Sequence, residues 1–331
     1  MITNDMACLM KKLLRTLLFS LAVGILFQGC KQKPITYESI HESTVQGDLD
    51  DVRRHLKRGA AVNARDEHGM TPLMHASAKS SFAMVQFLID QGADVNLSDK
   101  DGKTPIMHAR SAYIVDYLLQ NGARANVSDN QGTTPLMYFI SSYSSDAMSS
   151  IKLLIDNRAE VNVQDKQGAT PLILASRRGD YEVVKYLVNN MAKINVCDDK
   201  GETPLMVASF YDKTNIVNYL LENGADVNIR DKKGQTALAW AVRWNGASPD
   251  IVKSLILHGA DVNTMSNDKL TPLMRAVMFN HYDVTIILVE SGAYIHQECI
   301  HGLTPYKSAR VDDNKEIYNY FNSIEAPHIR K

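Results

Sequence analysis

Cysteine and histidine, the residue types best suited to redox, nucleophilic or metal chemistry, are scattered through this sequence. The four cysteines include no CxxC pair, the spacing typical of zinc sites and dithiol redox centres. The ten histidines form no cluster with the spacing of metal ligands. The motifs HExxH, GxGxxG, GxSxG and the phosphate-binding P-loop are also absent. We therefore expect no enzyme activity, no cofactor, no metal and no small-molecule substrate.

Composition and charge are those of an ordinary globular protein. Of the 331 residues, 45% are hydrophobic and 22% are charged. When the three basic residues and one acidic residue ahead of Cys30 are set aside, 33 basic and 36 acidic residues remain. Such a near-neutral chain lacks the broad positive field that attracts phosphate backbones. We therefore expect no nucleic acid among its partners.

The first thirty residues differ in kind from the rest. Lys11, Lys12 and Arg15 precede an apolar run over residues 17–27, as in a secretory signal peptide. The run is about half the roughly 20 residues that a membrane-spanning helix needs. This pattern predicts a signal peptide over residues 1–29, with Met10 as an alternative start.

The end of this run, Leu26-Phe27-Gln28-Gly29-Cys30, resembles the lipobox of bacterial lipoproteins. The resemblance implies cleavage after Gly29 and a lipid anchor on Cys30, with residues 30–37 as a short tether. Phe27 and Gln28 depart from the usual Leu and Ala or Ser. Simple secretion and an uncleaved anchor therefore stay open.

From residue 38 to about residue 324 the chain repeats itself. Seven of the repeat units open with Thr-Pro and one with Thr-Ala, at residues 71, 104, 134, 170, 203, 236, 271 and 304, and the intervals lie between 30 and 36 residues. Thr can cap a first helix, and Pro suits its first position. Apolar residues at helical spacing follow, such as Val85 and Leu88, and predict a second helix with one buried face. Gly92 and its counterparts can end that helix in the left-handed conformation.

Two segments, Asp99-Lys100-Asp101-Gly102-Lys103-Thr104-Pro105 and 220–228, carry the clearest resemblance to the ankyrin repeat. The resemblance covers residues 38–324. It implies an all-α solenoid of about nine helix-turn-helix repeats including caps, with β-hairpin fingers and a first opening near residue 38. Fingers and first helices would line a concave face, and residues 325–331 would form a tail.

The sequence departs from the family pattern in ways that predict local differences. Arg158 and Met191 replace the helix-ending Gly, so those repeats should be softer. The His of the family's Thr-Pro-Leu-His is replaced, mostly by Met, which predicts apolar packing where the family has hydrogen bonds. Residues 37–63 and 312–324 read as terminal caps. Cys197 and Cys299 lie three repeats apart, which is too far for a disulfide.

The residues seven and eight positions after each opening Thr predict the binding surface. In this family they commonly face the concave groove, and in the first three repeats they are small, polar or Lys. In the C-terminal half they become the types enriched in protein interfaces: Arg177, Arg178, Phe210, Tyr211, Arg243, Trp244, Met278 and Phe279. Packing of these side chains against the adjacent repeat is an open alternative. Four finger lysines are expected to edge this surface with positive charge and to favour a partner with acidic groups around an apolar centre: Lys200, Lys232, Lys233 and Lys269.

These features predict a non-catalytic protein-protein interaction scaffold that is lipid-anchored in a bacterial cell envelope, in the outer membrane or on the periplasmic face. A secreted or host-directed effector is the alternative. A structural envelope protein without a discrete ligand is a third, weaker possibility. The repeat accepts many surfaces, so the sequence leaves the partner protein unidentified.

If Cys30 carries the anchor, Cys30→Ala should release the protein from membranes or block its processing, because the thiol is the attachment atom. Metabolic labelling with a palmitate analogue, followed by membrane fractionation, measures both effects. Cys197→Ala is the matched control and should keep label and location. An intact mass that shows an unlipidated N-terminus in the wild type would contradict the assignment.

Overall fold

The computed structural model describes residues 37–142, 145–242, 246–311 and 314–325. These residues form eighteen helices in nine consecutive pairs. The first helices of the pairs are α1 (Ile40–Gln46), α3 (Pro72–Ala78), α5 (Pro105–His108), α7 (Pro135–Ser141), α9 (Pro171–Arg178), α11 (Pro204–Phe210), α13 (Ala237–Ala241), α15 (Pro272–Met278) and α17 (Pro305–Val311). The second helices are α2 (Leu49–Lys57), α4 (Phe82–Asp90), α6 (Ala112–Gln120), α8 (Ala147–Asp156), α10 (Tyr181–Asn189), α12 (Thr214–Glu222), α14 (Pro249–Leu257), α16 (Tyr282–Glu290) and α18 (Lys315–Glu325).

Each pair packs on the next, so the described chain is a helical repeat solenoid as predicted. The two helices of every pair contact each other, and every first helix contacts the first helix of the following pair. Val85 and Leu88 of α4 are fully buried, and equivalent residues of the other pairs extend the same apolar core. No described helix is both long enough and apolar enough to cross a membrane.

The opening threonines start most of the first helices, as predicted. The Thr71 hydroxyl accepts a hydrogen bond from the Met74 backbone N–H at 3.4 Å, and Thr134, Thr170, Thr203 and Thr271 do the same. Met74, at the position of the family's His, is fully buried. The hydroxyls of Thr104 and Thr236 are also buried, but they have no hydrogen-bond partner in the described structure. The capping prediction is therefore wrong for these two repeats.

The second helices end in a left-handed residue even where glycine is missing. Gly92 and Gly224 have φ of 86° and 88°, while Arg158 and Met191 have φ of 63° and 66°. Both non-glycine side chains are exposed, so packing around them does not explain the geometry. The left-handed stop predicted at these two residues is confirmed.

A ladder of asparagines explains why the stop is required. The Asn126 side-chain oxygen accepts from the Glu160 N–H at 2.8 Å, and its amide nitrogen donates to the Arg158 carbonyl at 2.8 Å. Asn162 makes the same two bonds to Lys193 and Met191. The pattern is repeated by Asn96, Asn195, Asn228 and Asn263. Since the acceptor is the carbonyl of the left-handed residue, each repeat fixes the end of the next one.

The turns between pairs are also joined to one another, here by backbone hydrogen bonds. The Asp99 N–H donates to the Lys103 carbonyl at 2.9 Å and closes its turn. The Lys100 N–H donates to the backbone carbonyl of His68, in the preceding turn, at 3.0 Å. Equivalent bonds join successive turns as far as Asn267. One closing bond per turn is too little for a ladder, and no regular strand occurs among the described residues. The predicted β-hairpin fingers are therefore tight turns.

The ends of the array differ from its middle. Ser39 caps α1 where inner repeats have Thr-Pro, because its hydroxyl accepts from the Glu42 N–H at 3.1 Å. The last helix was predicted over residues 312–324 but begins at Lys315. Asn314 is buried just before it and donates to the Val277 carbonyl at 2.8 Å, which fixes the start. Cys197 and Cys299 are unpaired, as predicted.

Replacing Arg158 or Met191 by Gly should stabilise the protein by about 1 kcal/mol each, because a side chain in the left-handed region is removed. Urea unfolding measures the effect, and hydrogen exchange of the wild type should be fastest near these two stops. Gly224→Ala is the reverse control. A Cβ at Gly224 would meet nothing within 4 Å, so only its backbone cost is measured. Equal stability of all the variants and the wild type would contradict this explanation.

Candidate binding surface

The first helices and the turns that precede them form one surface, here called the groove face. Two sets of side chains on it matter. The first is position four, the fourth residue after each opening Thr. The second is the turn Asp that lies nine residues before position four. In each regular turn one oxygen of this Asp accepts two backbone N–H groups, as Asp129 does from Gln131 and Thr133 at 2.8 Å.

The other oxygen of the turn Asp binds position four wherever that residue can donate. His75 lies 2.8 Å from Asp66 and His108 lies 2.9 Å from Asp99. The Tyr138 hydroxyl donates to Asp129 at 2.6 Å, and the Trp240 indole N–H donates to Asp231 at 3.0 Å. In the repeats between them position four is Leu174 or Val207, which cannot donate.

The pKa values of three residues in these pairs, His108, Asp129 and Tyr138, differ from their ordinary values. Burial alone would raise the pKa of Asp129, but hydrogen bonds from Tyr138 and from the turn backbone outweigh it and lower that pKa. Burial and the Asp129 carboxylate raise the pKa of Tyr138. Burial lowers the pKa of His108 although the neighbouring Asp99 opposes this. Asp129 is thus held charged, and its carboxylate orients the Tyr138 side chain at position four.

Arg275, the position-four residue of the repeat that opens at Thr271, has no such partner. Its turn residue is Ser266 in place of Asp, and the Ser266 hydroxyl is engaged within its own turn. Arg275 Nε is buried without a hydrogen-bond partner in the described structure. Burial lowers the pKa of this guanidinium, while Asp268 and Asp231 oppose that shift.

The arginines predicted as site residues make different contacts. Arg177 Nη2 lies 3.9 Å from a carboxylate oxygen of Glu202, in the next turn. Arg178 Nη1 donates to the Ile140 carbonyl at 2.8 Å, so it joins its own repeat to the preceding one. Arg243 lies outside the described residues, as does Trp244. Of the two described arginines, Arg177 is thus the one tied to a turn of the groove face.

The predicted aromatic and Met residues fall into two groups. The Phe210 ring contacts Tyr211, with centroids 4.9 Å apart, and Trp240, with centroids 5.0 Å apart. Tyr211 is 45% exposed. Met278 is 49% exposed and lines a separate depression of about 300 Å³ beside Ile300. Phe279 is partly buried, and its ring lies 6.2 Å from that of His281.

A cavity of about 550 Å³ lies on the groove face between the turns at residues 199–202 and 231–235. Phe210 and Trp240 supply its aromatic lining, and Arg275 and Glu202 supply charge. Lys200, Lys232 and Lys233, predicted to edge the surface, also line it. Lys269, the fourth predicted edge residue, does not. Burial and neighbouring carboxylates raise the pKa of Glu202, against the opposing effect of Lys200 and Arg177.

Trp240 and Arg275 are not among the predicted site residues, because both lie at position four and the prediction used the seventh and eighth positions after the opening Thr. The sequence contains a pattern that could have identified Arg275: Asp occurs nine residues before position four in six repeats and is absent before Arg275. Among the described residues, no group of three or more His, Cys, Asp or Glu side chains is placed to hold a metal ion.

Comparison with known proteins identifies the same repeat that the sequence resembles, the ankyrin repeat. The family described as "Ankyrin repeats (3 copies)" matches residues 40–129, 110–198, 145–231, 190–265 and 229–299. DNA-binding protein RFXANK of Homo sapiens is 45% identical over 53 residues, which are 16% of this chain and 20% of that protein. Its counterpart in Mus musculus is 38% identical over 63 residues, which are 16% of this chain and 23% of that protein. The chain thus spans about a fifth of the length of these relatives.

Asp129→Asn should destabilise the protein at pH 7 by roughly 1–2 kcal/mol, since it removes a charged acceptor of three hydrogen bonds. The pKa of Asp129 is lower in the folded state than in the unfolded state. The contribution of the Asp129 carboxylate to the free energy of unfolding is therefore complete above its unfolded-state pKa of about 4. This contribution is lost as the pH falls through the folded-state pKa.

Urea unfolding of wild type and variant between pH 2 and 7 tests this. The difference in stability between the two should shrink as the pH falls below about 4. Asp101→Asn, at an exposed turn position, is the matched control and should change little. A difference that is independent of pH would contradict a role for the charge.

Proposed function

Because the chain belongs to the ankyrin-repeat family, whose repeats imply a role in protein-protein interaction, we propose that it is a non-catalytic scaffold. Its partner binds the groove face of the C-terminal half. The observation that carries this proposal is the cavity between the turns at residues 199–202 and 231–235, which Phe210 and Trp240 line beside the exposed Tyr211. Aromatic side chains are enriched among the residues that anchor protein interfaces and among those that line binding cavities.

The contrast between the two halves of the array supports this location. In the N-terminal half, positions seven and eight after the opening Thr carry residues such as Lys79, Ser111 and Ser142. In the C-terminal half they carry Tyr211 and Met278, each about half exposed. Large apolar side chains exposed on one face of a regular array favour binding over packing.

Charge around the cavity indicates the kind of partner. Lys200, Lys232 and Lys233 line it from the turns, so a protein with acidic groups around an apolar centre would fit. The names of the two relatives refer to DNA binding. We favour a protein partner for this chain because its 33 basic and 36 acidic residues after Cys30 give no net positive field.

We further propose that the scaffold is held in a bacterial cell envelope by a lipid on Cys30. The basic residues, the apolar run and Gly29-Cys30 support this part of the proposal. Both the signal peptide and Cys30 lie outside the described residues. A secreted or host-directed effector with the same binding face is the alternative, and it should not retain lipid at Cys30.

Tyr211→Ala should weaken binding by at least about 2 kcal/mol if this residue is an anchor, and Trp244→Ala should do the same. The partner would be recovered by crosslinking in the native envelope, and the affinities of the purified variants would then be measured by calorimetry. Tyr113→Ala is the matched control, because Tyr113 lies on second helix α6 and is 79% exposed.

Ser142→Ala, near the start of the array, should also leave affinity unchanged. Thermal unfolding of each variant separates lost binding from lost folding. A large drop in melting temperature with unchanged affinity would identify the side chain as a packing element and overturn this site.

A further inference from the structure

The pairing of position four with the turn Asp has two polar exceptions among the described repeats, Arg275 and Ser308, and of these Arg275 is the charged one. His75, His108, Tyr138 and Trp240 each bind the carboxylate nine residues before them. Arg275 is also a donor, and of these five it is the one with a permanent charge, but Ser266 stands where its carboxylate would be. Ser308 follows Cys299 in the last repeat and carries no charge.

The two carboxylates that act electrostatically on Arg275 are engaged elsewhere. Asp231 accepts the Trp240 indole N–H and two N–H groups of its own turn. Asp268 accepts the Ser266 hydroxyl. Both attract the guanidinium through space, but neither lies within ion-pair distance of it. Among the described residues Arg275 therefore has no ion-pair partner, and it presents a half-buried cation to the cavity that it shares with Phe210 and Trp240.

We propose that the Arg275 guanidinium binds an Asp or Glu side chain of the partner, which supplies the carboxylate missing from position 266. This inference rests on the proposed binding function and names the chemistry of the partner at its centre. Arginine suits the role because its planar group can donate two parallel hydrogen bonds to a carboxylate. The partial burial of Arg275 strengthens the attraction relative to an exposed pair.

The rest of the cavity restricts what surrounds that carboxylate. Phe210 and Trp240 offer apolar surface, so a residue next to the acidic one should be apolar. Glu202 is only 13% exposed and lies 3.9 Å from Arg177 and 4.0 Å from Lys200. It repels a second carboxylate on its side of the cavity. The preferred segment is therefore one acidic residue flanked by apolar residues.

Two peptides that differ in one group test this inference: acetyl-leucyl-glutamyl-leucinamide and its glutaminyl analogue. The Nε–H signal of Arg275, in the NMR spectrum of the ¹⁵N-arginine-labelled full chain, is followed during titration. Its absence from Arg275→Leu assigns it, and this variant should fold because Leu174 occupies position four elsewhere. We expect a saturable shift with the glutamyl peptide and at least a fivefold smaller one with the glutaminyl peptide.

Ser266→Asp is the decisive variant, because it restores the turn carboxylate found in six other repeats. It should pair with Arg275 inside the protein, raise the melting temperature and abolish the response to the glutamyl peptide. Equal responses to both peptides, no response to either one, or a full response in Ser266→Asp would overturn the inference. Loss of partner binding in Tyr211→Ala but not in Ser266→Asp would leave the docking surface standing and refute only the carboxylate contact.

Discussion

The asparagine that bridges neighbouring repeats is the constraint on which the rest of the structure depends. Each bridging side chain accepts an N–H and donates to a carbonyl of the next repeat, as Asn126 does with Glu160 and Arg158. In all six described bridges that make both bonds, the accepting carbonyl belongs to a left-handed residue. This explains why Arg158 and Met191 accept a conformation that glycine would adopt at lower cost. The local strain is offset by two hydrogen bonds between repeats, so we expect stability to be distributed along the array and to be lowest where a side chain opposes the stop.

Regular stacking also determines how the groove face can acquire a function. Since each repeat is fixed to the next by the same bonds, a given position recurs in the same setting. A change of residue type there alters the chemistry of the surface and leaves the fold intact. Position four shows this directly: His75, Tyr138 and Trp240 all bind a turn Asp. Arg275 keeps the setting but loses the partner, because its turn carries Ser266. The binding centre that we propose would therefore arise from an exception to the repeat.

Most of the fold could be predicted from the sequence, because its signals are local and repeated. The Thr-Pro openings, the apolar spacing and the left-handed stops each depend on a few adjacent residues. The capping prediction failed at Thr104 and Thr236, whose buried hydroxyls have no hydrogen-bond partner among the described residues. The start of α18 depends on a contact of Asn314 with a residue 37 positions earlier. The candidate site could be predicted from the sequence only in part. Phe210 and Trp240 belong to different repeats, and their contact depends on how the helices stack. The contact of Arg178 could not be predicted either, because its guanidinium donates to the Ile140 carbonyl of the preceding repeat.

Hydrogen exchange of the full chain, with and without the partner that crosslinking recovers, tests the central claim most directly. If the partner binds the groove face of the C-terminal half, backbone amides of the turns at residues 199–202 and 231–235 should exchange more slowly in the complex. Amides at the end of α11, which carries Phe210, should do the same. The exposed ends of the second helices, such as those near Tyr113 and Leu257, should be unaffected. Slower exchange confined to the second helices, or to the repeats before Thr134, would contradict the account.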